Sequence, residues 1–94
     1  MSQATVRIPA PLRSFTGGAA EVAVEGDTVG EVLRSLSEIH SGLKQQILTD
    51  KDEVRNFVNI FVDNKNIRSI AGLESPVTEH AVIYIVPAVA GGGS

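Results

Sequence analysis

The sequence predicts an α+β domain in which one main helix covers one face of a mixed sheet of four to five strands. Three observations carry this expectation. Two short segments of alternating polarity flank the turn signal Gly17-Gly18. A capped run with helical spacing of apolar residues begins at Thr28. A β-branched run, Ala81-Val82-Ile83-Tyr84-Ile85-Val86, lies close to the end of the chain.

Ala4 to Pro9 alternates small or apolar with polar residues and reads as a first strand, with Pro9 and Pro11 restricting it toward an edge or a bulge. After Gly17-Gly18, the segment Glu21-Val22-Ala23-Val24-Glu25 alternates again and completes an N-terminal hairpin. Gly26-Asp27 breaks that strand. Thr28 and Glu31 form a capping box, in which the Thr28 hydroxyl accepts the Glu31 N–H and the Glu31 carboxylate reaches back to the Thr28 N–H. Val29, Val32, Leu33, Leu36 and Ile39 then fall on one face, with Glu31, Arg34, Ser35 and Glu38 on the other, and Gly42 is the expected C-cap. Leu43 to Leu48 is expected to be a short irregular turn that contributes to the core. Phe57 to Val62 reads as a third strand, Asp63 to Asn66 as a turn, and Ile67-Arg68 as the start of a short return strand. The run from Ala81 to Val86 is expected at the centre of the sheet. Residues 1–87 make the domain, and residues 88–94 are expected to be a flexible tail carrying Gly-Gly. A helix flanked by two hairpins has to cover one sheet face, and that arrangement is the β-grasp.

Composition removes several function classes. The 94 residues suit one domain, and the chain has no cysteine, which excludes disulfides, thiolate metal sites and a cysteine nucleophile. A net charge of −3 argues against non-specific binding to nucleic acid. No apolar stretch approaches the roughly 20 residues needed to span a bilayer. Met1-Ser2-Gln3-Ala4 lacks the basic-then-apolar order of a secretory signal, so a cytoplasmic location is expected.

Three segments carry a resemblance. They are Phe57-Val58-Asn59-Ile60-Phe61-Val62-Asp63-Asn64-Lys65-Asn66-Ile67-Arg68, then Gly72-Leu73, then Ile83-Tyr84-Ile85-Val86-Pro87-Ala88-Val89-Ala90-Gly91-Gly92. Together with Gly26-Asp27-Thr28 they resemble the MoaD/ThiS ubiquitin-like sulfur carriers over nearly the whole chain. The MoaD-like carriers of cysteine biosynthesis share the Pro-Ala-Val-Ala-Gly-Gly ending. The resemblance implies that an E1-like enzyme, using ATP and magnesium, adenylates the carboxyl of Gly92. That carboxyl is then converted to a thiocarboxylate, which passes sulfur to an accepting synthase. The carrier itself is expected to bind no cofactor or metal and to have no catalytic site of its own. Ala90 and Gly91 would thread into the partner, since glycine lets backbone approach a phosphate closely. Family members usually end at the second glycine, whereas here Gly93 and Ser94 follow. These two residues read either as a natural mask, removed by a JAMM-type metalloprotease, or as a cloning remnant.

Alternation places Val58, Ile60 and Val62 toward the helix and leaves Phe57, Asn59 and Phe61 on the open face, so Phe61 and Phe57 are candidate partner contacts. Arg13 and Arg68 are expected to be solvated charges, as is the loop Asp50-Lys51-Asp52-Glu53. His40 and His80 have no matching ligand cluster in the sequence. Three further functions share the fold: a protein modifier joined to lysines through Gly92, a molybdopterin synthase small subunit, and a binding module with no chemistry at its tail.

Overall fold

The computed structural model describes residues 2–87. The strands are β1 (Gln3–Arg7), β2 (Glu21–Glu25), β3 (Val58–Val62), β4 (Lys65–Asn66) and β5 (Ala81–Pro87). The helices are α1 (Val29–Ile39) and α2 (Ser41–Ile47), with 3-10 turns at Ala10–Thr16, Ile67–Ser69 and Gly72–Glu74. The sheet order is β2-β1-β5-β3-β4, with β1 and β5 parallel and the other neighbours antiparallel. This is the β-grasp topology, with β5 at the centre as its β-branched composition suggests.

Period-2 alternation divides the sheet into two faces. Ala4 and Val6 of β1, Val24 of β2, Val58, Ile60 and Val62 of β3, and Ala81, Ile83 and Ile85 of β5 are all buried. The helices close this face with Val29, Val32, Leu33 and Leu36 from α1 and with Leu43 and Ile47 from α2. Both helices bury one stripe and expose the other, which is the arrangement an amphipathic helix needs against a sheet.

Several local expectations are corrected. β1 is an interior strand, because Pro9 and Pro11 lie past its last ladder residue, Arg7. Pro9 instead caps the 3-10 turn, and Pro11 sits in its first turn, where a missing N–H leaves no ladder bond unmade. Leu43 to Leu48 is not irregular: α2 covers Leu43 and Ile47. The helix expected to end at Gly42 ends at His40, whose backbone (φ −126, ψ 82) redirects the chain into α2. Gly42 is bare for another reason. The Phe15 ring rests on it, and a Cβ there would meet Phe15 Cδ1 at 2.9 Å. The turn after β3 is only Asp63-Asn64, whose positive φ values of 49° and 74° suit a two-residue hairpin. The return strand is therefore Lys65–Asn66, earlier than expected, and Ile67 already begins a 3-10 turn. Phe57 lies one residue before β3.

The start of α1 is held more firmly than a capping box alone would hold it. Glu31 N–H donates to Thr28 Oγ1 at 3.2 Å as expected, but the Glu31 carboxylate accepts from Asp27 N–H at 2.9 Å rather than from Thr28. A strap formed by Ser75 and Pro76 crosses this end. Val29 N–H donates to Ser75 O at 3.0 Å, and Thr28 bridges to Pro76. Among the described residues, no helix is long and apolar enough to cross a membrane.

Candidate functional site

Because β5 is central, the chain leaves the sheet from its middle. Pro87, the last residue of β5, lies opposite Val58, the first residue of β3. The residues expected to react or to thread into a partner, Ala90, Gly91, Gly92, Gly93 and Ser94, lie outside the described residues. What the structure describes is the platform from which they depart.

The helix-free face of the sheet carries a row of side chains fixed by register. Phe61 of β3 lies opposite Tyr84 of β5, Tyr84 opposite Arg7 of β1, and Arg7 opposite Glu21 of β2. Arg7 Nη1 reaches Glu21 Oε2 at 3.3 Å, so the row runs from aromatic to ionic across four strands. One step nearer the exit, Asn59 lies opposite Val86. Phe61 and Tyr84 are half-buried, while Phe57 is 50% exposed and Val86 43% exposed. Phe61, Tyr84 and Val86 thus share an apolar stretch of the open face beside the point of departure, and the exposed Phe57 lies in the turn that leads into β3. An aromatic surface of this kind suits a protein partner, because it gives up apolar area to the interface without a large loss of side-chain freedom.

Sequence reasoning missed the role of Arg68. Its guanidinium donates from Nη1 to Asn59 Oδ1, and from Nη2 to Val58 O at 3.1 Å and Arg55 O at 3.5 Å. β4 pairs with only Phe61 and Val62, so Val58 O faces an uncovered edge, and Arg68 closes it. Arg13 acts similarly, donating from Nε to Ile8 O at 3.0 Å. Neither arginine is merely a solvated charge. The sequence holds no advance signal for this, because Arg68 reads as part of the return strand, which ends two residues earlier at Asn66.

The remaining candidates are not brought together. His80, with φ 67, turns the chain into β5 and donates its N–H to Gln3 O at 2.9 Å, while His40 marks the break between the helices. The Asp50–Glu53 loop is exposed and is organised by the Thr49 hydroxyl, which accepts from Lys51 N–H at 3.2 Å and Glu53 N–H at 3.3 Å. Asp52 pairs with Lys44 at 3.4 Å. Among the described residues no group of three His, Cys, Asp or Glu side chains could hold a metal ion. On the helical side, a shallow groove of about 550 Å³ carries Glu31, Glu38, Asp52 and Glu74 beside Arg34 and Lys44. It has mixed charge and lies on the opposite side of the sheet from the row just described.

Comparison with known proteins fits this platform into a group. The ThiS family model matches residues 6–92. The sulfur carrier protein CysO of Mycobacterium tuberculosis is 37% identical over 90 residues, covering 94% of this chain and 97% of that protein. Among solved structures, a chain of the BexX/CysO complex of Amycolatopsis orientalis superposes with a TM-score of 0.88 at 37% identity, covering 95% of this chain and 99% of that one. The small archaeal modifier protein 1 of Methanosarcina acetivorans superposes with a TM-score of 0.87 at 33% identity, covering 98% of both chains.

Proposed function

Since the chain belongs to the ThiS family, we propose that it is a sulfur carrier whose reacting group is the carboxyl of Gly92, exposed once Gly93 and Ser94 are removed. A free carboxylate is a poor electrophile. Attack of the Gly92 carboxylate on the α-phosphorus of ATP releases pyrophosphate and leaves an acyl adenylate with a good leaving group. Sulfide from a donor then displaces AMP, and the thiocarboxylate so formed is a soft nucleophile that can be delivered to an acceptor. ATP and magnesium belong to the E1-like activating enzyme. A JAMM-type metalloprotease is the proposed trimming partner, and a synthase making cysteine or a related metabolite is the proposed acceptor. The proposed compartment is the cytoplasm.

The observation that best supports this reading is the place of β5. A strand with a neighbour on each side ends at Pro87, next to an exposed aromatic surface, and Ala88-Val89-Ala90 then leads to Gly91-Gly92. The six residues from Pro87 to Gly92 span about 20 Å when extended. An enzyme can therefore grip the open face while the chain end reaches a recessed active site.

The likeness to an archaeal modifier supports a second reading, in which Gly92 is joined to lysine amines on other proteins. Both readings share the adenylation step, and the intact mass of untagged protein from its native host separates them. A species lacking Gly93 and Ser94, heavier by the exchange of one oxygen for sulfur, is expected for the carrier. A ladder of covalent conjugates is expected for the modifier. A chain that always ends at Ser94, with the protease and activating enzyme present, would refute both.

A further inference from the structure

The two edges of the sheet are finished differently. At the β4 side Arg68 covers the exposed carbonyl of Val58. Among the described residues, the β2 side has no such cover. Ile8 N–H donates to Ala20 O at 2.8 Å and Gly26 N–H to Ser2 O at 2.9 Å. Both bonds obey the register that sets Ala4 opposite Val24 and Val6 opposite Val22. In an antiparallel ladder, residues bonded to the neighbouring strand alternate with residues whose polar groups point away from it. Ala20, Val22, Val24 and Gly26 therefore bond to β1, while Glu21, Ala23 and Glu25 direct their N–H and C=O groups outward. Among the described residues, no loop or side chain bonds to these outward groups.

Glu21, Ala23 and Glu25 are also exposed, and their side chains share the open face. They present a carboxylate, a methyl and a carboxylate in line over about 13 Å. Glu21 is paired with Arg7, but Glu25 lies opposite the uncharged Gln3 and has no cation in range among the described residues.

We infer that the β2 edge is a docking site for an extended basic segment of a partner protein, which joins the sheet as a sixth strand. The outward groups of Glu21, Ala23 and Glu25 supply the main-chain ladder, as in other strand additions to an open edge. Side-chain complementarity then sets a pattern. Basic residues stand opposite Glu21 and Glu25, and a small residue stands opposite Ala23. A second copy of this chain is disfavoured. Two-fold pairing about Ala23 would set Glu21 against Glu25 twice, and like charges directly opposite one another are destabilising. β2 lies two strands from β5, about 10 Å away, so an occupied edge leaves the departing chain accessible. The site is independent of whether the chain end carries sulfur.

The test is an NMR titration of the full-length ¹⁵N-labelled chain with the peptide acetyl-Thr-Lys-Val-Ala-Val-Lys-Thr-amide. At saturation, amide exchange at Glu21, Ala23 and Glu25 is expected to slow at least tenfold, with Val22 and Val24 little changed. N-methylation of the peptide's central alanine removes an edge hydrogen bond and is expected to abolish the protection without any change to the protein. Exchanging both peptide lysines for glutamates turns two attractions into two repulsions and is expected to weaken binding at least tenfold. The substitution Glu25→Lys is expected to narrow that preference about fivefold. Equal binding of the two peptides, or protection that maps elsewhere, would overturn the inference. Protection of the same three amides without peptide, growing with protein concentration, would overturn it in favour of self-pairing.

Discussion

Replacing Phe57 with serine tests whether the surface around the start of β3 grips the proposed activating enzyme. Phe57 is 50% exposed and is not among the residues packed against the core cluster, so the fold is expected to survive the change. A phenylalanine carries about 200 Å² of side-chain surface, leaving about 100 Å² for a partner to cover. At about 25 cal/mol per Å², that burial is worth about 2.5 kcal/mol. Ordering the ring and desolvating its surroundings remove about 1 kcal/mol. The remaining ~1.5 kcal/mol corresponds to about a tenfold change in affinity. The assay is ATP–pyrophosphate exchange by the activating enzyme, with the carrier trimmed to Gly92 as the varied substrate. KM for the Phe57→Ser carrier is expected to rise about tenfold with kcat unchanged, the signature of binding made equally in the ground and transition states. An unchanged KM would remove Phe57 from the interface. A fall in kcat at constant KM would place its effect in the chemical step and refute docking as the cause. A thermal melt of the variant guards against partial unfolding being read as weak binding.

Two further predictions concern the scaffold. A Cβ at Gly26 would lie 2.9 Å from both Val32 Cγ2 and Val32 N, and the Ser75 strap prevents the helix from receding. Gly26→Ala is therefore expected to cost about 2 kcal/mol, lowering Tm by about 10 °C in calorimetry, and an unchanged Tm would show that the strap yields. Thr28→Ala removes the acceptor for Glu31 N–H and is expected to cost about 1 kcal/mol in denaturant melts, with Thr28→Ser recovering most of it.

Much of the fold was legible because its signals are local. The Gly17-Gly18 turn, the Thr28 cap, the apolar spacing of α1 and the β-branched β5 each announce an element within a few residues. What was not legible depends on residues far apart in sequence. Pro9 and Pro11 suggested an edge strand, yet only the pairing of Val6 with Ile83 shows that β1 ends before them. Gly42 looked like a helix cap, but its bareness answers to Phe15, 27 positions earlier. Arg68 could be seen as more than a surface charge only once Val58 O was known to face an uncovered edge. At the site, alternation alone placed Phe61 on the open face. The row from Phe61 through Tyr84 to Arg7 and Glu21 needed the register of three strand pairs.

The parallel pairing of β1 with β5 also has a mechanical meaning. A partner that draws in the chain end pulls along the axis of β5, which is hydrogen-bonded to β1 on one side and to β3 on the other. That load is shear: the ladders on both flanks must give way together, because no outer strand is available to peel off one bond at a time. Traction on the terminus is therefore spread across the centre of the sheet, and the body can serve as an anchor block while its end is drawn inward. Had the departing strand been β2, at the margin, the same pull could have unzipped it.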